Sequence, residues 1–180
     1  MAENLYTPNS IRTRSGQYVN VLELDPDTIR IEDIAHALSM VPRFGGHLPV
    51  PYSVGQHSLG VLNTVMEWPQ PAGTTAEEIR MTRLQALLHD ASEAYLGDMP
   101  SPIKQHLPDF GALEERIMQV IAKKFGFPWP MLPEVKEADR IMLEAEWKGV
   151  MLGDYNPKYL LEQPFVVERF LERFNELSRC

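Results

Sequence analysis

Residues 75–98 read "TAEEIRMTRLQALLHDASEAYLGD". Thr75 and Glu78 have the spacing of a capping box. Beyond them Leu84, Leu87, Leu88 and Ala91 recur at helical intervals, and Gly97 supplies a stop. The stretch therefore predicts an amphipathic helix, whose apolar stripe has to be buried against other elements. His89 and Asp90 follow "LQALL" directly, where that helix should be burying surface. An isolated charge there is costly unless it is paired or bound to a metal.

Outward from this segment the chain keeps the same period. Ile31, Ile34, Ala35, Leu38 and Val41 mark one helix, stopped by Pro42. A turn-rich stretch follows, "PRFGGHLPVPY", with Gly45-Gly46 at its centre. Ser53 can cap the next helix, striped by Val54, Val61 and Val65. "PQPAGTTAEE", after Trp68, reads as an exposed loop. Leu113, Ile117, Val120, Ile121 and Phe125 mark a helix closed by Gly126. Val135 to Met151 form another, and Pro164 to Leu177 the last, with Pro164 suited to its first turn. Residues 1–27 read as an extended lead-in, with a short strand or hairpin in "GQYVNVLEL". About six amphipathic helices joined by short loops predict an all-α fold, one domain over residues 1–180 with its core near 28–177.

Composition narrows the function. A net charge of −8 argues against a duplex nucleic-acid surface, which needs phosphate neutralisation. The only cysteine is Cys180, so thiolate metal sites and disulfide frameworks are not expected. "MAENLYTPNSIRTRSG" has no apolar secretion segment, and no apolar run approaches the ~18 residues of a membrane helix. A cytoplasmic protein with no membrane partner is expected. Five histidines in an acidic chain point instead to imidazole and carboxylate ligands.

Three sites stand out: His57 in "SVGQHSLGV", the pair His89-Asp90, and Asp139 in "VKEADRIML". Each carries titratable groups inside an apolar periodic segment. Two imidazoles and two carboxylates suit Mn, Fe, Co or Zn rather than a purely oxygen-loving ion. Taken singly, each has a plainer reading. His57 could be a satisfied half-buried histidine, Asp139 a partner of Arg140 or Lys136, and Glu93 an i,i+4 partner on a solvated face. Arg43 could cap its helix or pair with Glu32. His36 and His106 have no motif around them and read as core or surface residues, and Trp129-Pro130 reads as packing.

The order His … His-Asp … Asp resembles the HD-domain metal-dependent phosphohydrolases. "HDASEAYLGDMPSPIK", "IEDIAHALSMVPRFGGH" and "PYSVGQHSL" are similar to blocks of the bacterial 5′-deoxynucleotidase family and its short bacteriophage deoxynucleoside triphosphohydrolase relatives. The resemblance spans residues 20 to 150. It implies that His57, His89, Asp90 and Asp139 bind one divalent ion (Co, Mn, Zn or Fe), with room for a second, Mg or Co, near Glu93. Glu93, one helical turn after His89, is implied as the catalytic residue that orients or activates water. Asp98 is implied to accept a hydrogen bond from the sugar 3′-hydroxyl. Arg43 is implied to grip phosphate with its guanidinium fork, and Lys104 and His47 are further phosphate candidates. Phe44 stands where the deoxynucleotidases often carry a tryptophan near the sugar.

The implied reaction is attack on the 5′ α-phosphate of a deoxynucleotide. The short phage-like form favours a dNTP triphosphohydrolase, dATP first, releasing deoxynucleoside and tripolyphosphate. The alternative is a 5′-deoxynucleotidase releasing orthophosphate from dNMP; a nucleotide-sensing HD module is the non-enzyme alternative. The resemblance further implies a homo-oligomer of bacterial or phage origin.

Overall fold

The computed structural model describes residues 8–153 and 161–178; the start of the expected lead-in and Cys180 lie outside them. A two-stranded antiparallel hairpin opens the chain, β1 (Ser10–Arg12) and β2 (Tyr18–Asn20). Six helices of ten residues or more follow among the described residues. They are α1 (Ile31–Met40), α2 (Val54–Glu67), α3 (Ala76–Leu88), α6 (Pro108–Phe125), α7 (Pro133–Glu146) and α8 (Gln163–Ser178). Two single-turn helices, α4 (Glu93–Leu96) and α5 (Ser101–Lys104), lie between α3 and α6. The described residues are all-α apart from the hairpin, as the periodicity predicts, and no helix among them is long and apolar enough to cross a membrane.

Helix α2 is the hub. It packs on α1, α3, α7 and α8, so it is buried on nearly every side, at Val54, Gly55, Gln56, His57, Ser58, Leu59, Val61, Leu62 and Val65. Ser53 caps it as expected, its hydroxyl accepting from the Gln56 N–H at 3.2 Å. Gly55 is there for close approach: a Cβ would stand 3.2 Å from the α1 backbone at Leu38 and Ser39. Phe170 and Phe174 of α8 complete the core on the side of α1 and α3. The capping box at Thr75 and Glu78 is formed, and Gly126 closes α6 in the left-handed region at φ 74°.

Polar ties set the remaining segments. Asp33 of α1 accepts from the Thr13 hydroxyl at 2.7 Å and from the Ser15 N–H and hydroxyl at 2.8 and 2.6 Å, which holds the hairpin turn on the bundle. Gln85 of α3 is fully buried; its amide donates to the Pro128 carbonyl and accepts from the Leu132 N–H at 2.7 Å. It thereby fixes the entry to α7, the helix that carries Asp139.

Two expectations are corrected. The segment Val135–Met151 is not one regular helix: α7 ends at Glu146, and Trp147–Met151 continue as a wider π-helical turn. The helix holding residues 75–98 is also broken. α3 stops at Leu88, and residues 89–92 pass through tight turns, with Ala91 N–H on the Leu88 carbonyl and Glu93 N–H on the Asp90 carbonyl. His89 and Glu93 are therefore not one turn apart on a single helix.

Replacing Leu62, which is fully buried in the hub, by Ala is expected to cost about 2–5 kcal/mol. Thr75→Ala, which removes only the capping box, is expected to cost about 1 kcal/mol. Urea titrations followed by circular dichroism measure both, and equal costs would contradict a core centred on α2.

Candidate metal centre

Residues 89–92 run through tight i→i−3 turns, and His89 and Asp90 both reach His57 of α2. His57 arrives from α2, fully buried. Its Nε2 lies 3.3 Å from His89 Nε2 and 3.7 Å from Asp90 Oδ2, and His89 Nε2 lies 3.2 Å from the same Asp90 oxygen. Asp139 joins from the exposed edge on α7, its Oδ1 3.1 Å from His57 Nε2 and 3.9 Å from His89 Nε2. Asp139 pairs with His57 rather than with Arg140, which is held by Glu137 and Glu144.

These residues fit a divalent ion. His57, His89 and Asp90 each offer a ligand atom within 4.8 Å of one another; the expected fourth ligand, Asp139, stands outside that group, close to His57 but 3.9 Å from His89 Nε2. Donors bound about 2.1 Å from a shared centre stand about 3–3.5 Å apart, which matches the shorter separations. The two Nε2 atoms face each other at 3.3 Å, an arrangement that either one shared hydrogen or a cation between them satisfies. His89 donates from Nδ1 to the Ala86 carbonyl at 2.9 Å, leaving Nε2 for the cluster.

Behind the cluster lies a layer that the motif reading missed. Glu146, the last residue of α7, is 2 % exposed. Its Oε1 lies 2.7 Å from His57 Nδ1 and accepts from the Tyr52 hydroxyl at 3.0 Å, while Oε2 accepts from Arg43 at 3.2 Å. A signal was available: Glu146 follows Asp139 by seven residues, two helical turns, and so shares its face.

Arg43 is deployed differently from expectation. One terminal nitrogen is on Glu146 and the other 3.7 Å from Asp98, so the fork is occupied by two carboxylates and does not pair with Glu32. Its Nε is buried with no hydrogen-bond partner among the described residues. Asp98 accepts from the Phe44 N–H, and that contact supports Phe44 at φ 54°, a left-handed conformation unusual for a bulky residue. The Phe44 ring lies 5.5 Å from the Arg43 guanidinium and 6.1 Å from the ring of Trp147, another residue without a sequence signal. His47 stands exposed at the end of this loop, its N–H on the Phe44 carbonyl.

Among the cavities around these residues, one adjoins Asp98 and another the His89–Asp90 pair. Asp98 lines one of 560 Å³ with Gly45, Gly97 and the α1 residues His36, Ala37 and Met40. His89 and Asp90 line another, of 260 Å³, together with Lys104, Lys136, Glu114 and Glu115. Lys104 is paired with Glu114. Lys136 and Trp129 of this wall were not among the expected site residues; the Trp129 indole donates to Glu115 at 2.7 Å.

The charges are strongly coupled. Burial would raise Asp90, but His89, His57 and Arg43 drive it well below the usual carboxylate range. Burial would likewise raise Asp139 and Glu146, and their contacts to His57 hold both low. Glu93 behaves oppositely: burial, with Asp90 and Asp98 nearby, pushes it up to about 10, and its Oε2 has no partner among the described residues. Burial also raises Asp98, only partly offset by Arg43.

No protein-family model matches the chain. It is 38 % identical over 182 residues to the uncharacterized protein YfdR of Escherichia coli (strain K12), covering 93 % of this chain and 95 % of YfdR. The chain belongs to the YfdR family. An uncharacterized protein of Rhodobacter capsulatus is 36 % identical over 144 residues, 75 % of this chain and 70 % of that protein. Neither relative's name states an activity.

The cluster makes stability depend on pH. Burial would lower His57, but hydrogen bonds to Asp139 and Glu146 raise it from 6.5 to about 9 when no cation is bound. Glu93, raised from 4.5, acts in the same direction. Both groups hold more protons folded than unfolded above their ordinary values. With Asp90, Asp139 and Glu146 withdrawing their contribution at acid pH, the chelated protein is expected to lose stability as pH rises from 4.5 for Glu93 and from 6.5 for His57 toward 9. Saturating Co²⁺ or Mn²⁺ is expected to flatten or reverse that slope, because binding displaces the His57 proton. Urea midpoints across this range, with and without metal, check both expectations.

Proposed function

We propose that this chain is a metal-dependent phosphohydrolase of the HD type that cleaves the bond between the α-phosphorus and O5′ of deoxynucleotides. The observation that carries the reading is the convergence of His57, His89, Asp90 and Asp139 beside a buried carboxyl, Glu93, and a buried guanidinium, Arg43. When bound, a divalent ion supplies positive charge that polarises a phosphoryl oxygen, acidifies water and draws the Glu93 carboxyl toward the range of a working base.

Glu93 orients the attacking water, takes its proton and returns it to the departing O5′, so the reaction adds one water across the P–O bond. Arg43, fixed by Glu146 and Asp98, contributes its charge and the unmet Nε donor to the phosphoryl group rather than a two-oxygen grip. Asp98 offers an acceptor to the 3′-hydroxyl at the edge of the larger cavity, which has room for a deoxynucleoside.

The favoured substrate is a dNTP, with dATP tested first. Lys104 and Lys136 in the cavity beside His89 and Asp90 support it, because they could carry the β- and γ-phosphates. Glu114 and Glu115 in the same wall favour the alternative, a 5′-deoxynucleotidase acting on dNMP. Product analysis with all four dNTPs and dNMPs in Co²⁺, Mn²⁺, Zn²⁺ and Mg²⁺ separates them: tripolyphosphate supports the first, orthophosphate from dNMP alone the second. Absence of turnover with every metal overturns the catalytic reading in favour of a nucleotide-sensing module.

Two variants refine the test. Glu93→Ala is expected to retain metal while kcat falls by about 10²–10⁴-fold; near-normal turnover removes Glu93 from the chemistry. Lys136→Ala is expected to raise KM for a dNTP, and an unchanged KM would remove the lysine cavity from the argument for a triphosphate.

A further inference from the structure

Glu146 is a buried carboxylate beside the centre that is neither a ligand in the implied set nor a group that the proposed reaction places on water or sugar. Its burial would be unfavourable without compensation, and the compensation comes from three segments at once: Tyr52 before α2, His57 within α2 and Arg43 in the loop after α1. Oε1 already accepts from the Tyr52 hydroxyl and Oε2 from the Arg43 guanidinium, which has only donors. With both oxygens accepting, the His57 nitrogen facing Oε1 at 2.7 Å, Nδ1, carries the hydrogen. In a neutral imidazole that leaves the Nε2 lone pair on the side of His89, Asp90 and Asp139.

The two histidines of the centre are thus oriented by different devices. His89 uses a neutral backbone carbonyl within its own turn. His57 uses a charged side chain brought from the end of another helix, and that same side chain holds Arg43. An apolar neighbour of similar volume would have packed α7 on α2 without the cost of a buried charge. Packing alone therefore does not account for Glu146.

We propose that Glu146 is a positioning residue: it fixes His57 as the Nδ1–H tautomer with Nε2 directed at the metal ligands, and keeps Arg43 in register with them. The proposal rests on the metal-dependent reading above. Removing an outer-shell partner of this kind typically weakens metal binding by about 10–100-fold.

The test uses the full chain and the isosteric Glu146→Gln, whose amide offers one acceptor oxygen for the three donors. Co²⁺ dissociation constants come from competition with a chromophoric chelator. The ring protons and nitrogens of His57 and His89 are followed by ¹H–¹⁵N NMR in the Zn²⁺-loaded protein. E146Q is expected to bind Co²⁺ at least about 10-fold more weakly. The His57 Nδ1–H resonance, far downfield against a carboxylate, is expected to move upfield while that of His89 stays in place. Tyr52→Phe removes a different partner of the same carboxylate and is expected to leave Co²⁺ affinity close to wild type.

E146Q with wild-type affinity and an unmoved His57 resonance overturns the role of Glu146 while leaving the metal centre intact. An affinity loss in Y52F as large as in E146Q also overturns it, because any disturbance of the pocket would then suffice. A wild-type chain that binds neither ion removes the metal reading itself, and the positioning role falls with it.

Discussion

A fully buried imidazole at the centre of a helix bundle has two nitrogens to satisfy, and the arrangement around His57 follows from that requirement. One nitrogen faces Glu146 at 2.7 Å; the other faces His89, Asp90 and Asp139. α2 can carry such a residue only because four other helices surround it. In turn, α7 is led to it by Gln85, which fixes the loop before α7, and Met142 of α7 packs over Gly60 of α2. Shape and chemistry meet in one ring.

The electrostatics of the centre follow the same division. Asp90, Asp139 and Glu146 touch His57 or His89 and are held below their ordinary range. Glu93 is close to Asp90 and Asp98 but has no partner of its own for Oε2, and it is pushed up. Groups whose surroundings drive their proton affinities apart are the raw material of acid–base chemistry. A cation among the ligands would act on both sets at once, which is why the proposed hydrolase activity and the pH dependence of stability share one origin.

The loop Arg43–Gly46 illustrates how local strain is retained. Phe44, Gly45 and Gly46 all have positive φ, at 54°, 61° and 78°. The glycines accept this readily, whereas Phe44 does so with its N–H on Asp98 and its ring near Arg43 and Trp147. The conformation places Arg43 between Glu146 and Asp98, and so ties the ligand cluster to the cavity that Asp98 lines.

Much of this was legible in the chain. Helical period, the Thr75–Glu78 capping box, the Ser53 cap and the Gly126 stop are local features, and local geometry suffices to read them. His57, His89-Asp90 and Asp139 could be singled out because charge inside an apolar stripe is conspicuous. Other features needed the tertiary structure. The break after Leu88 falls at no Gly or Pro, and the tight turns of residues 89–92 lead from it to Glu93. Glu146, Tyr52 and Lys136 lie far from the motif along the chain and come beside it only when α7 docks on α2 and α3. The two carboxylates on Arg43 were equally invisible, since a guanidinium's partners are chosen in space and not along the sequence. Sequence by itself determined which residue types could do the chemistry and on which helices they ride; the packed bundle decided which of them meet, because contacts between distant segments have no period to read.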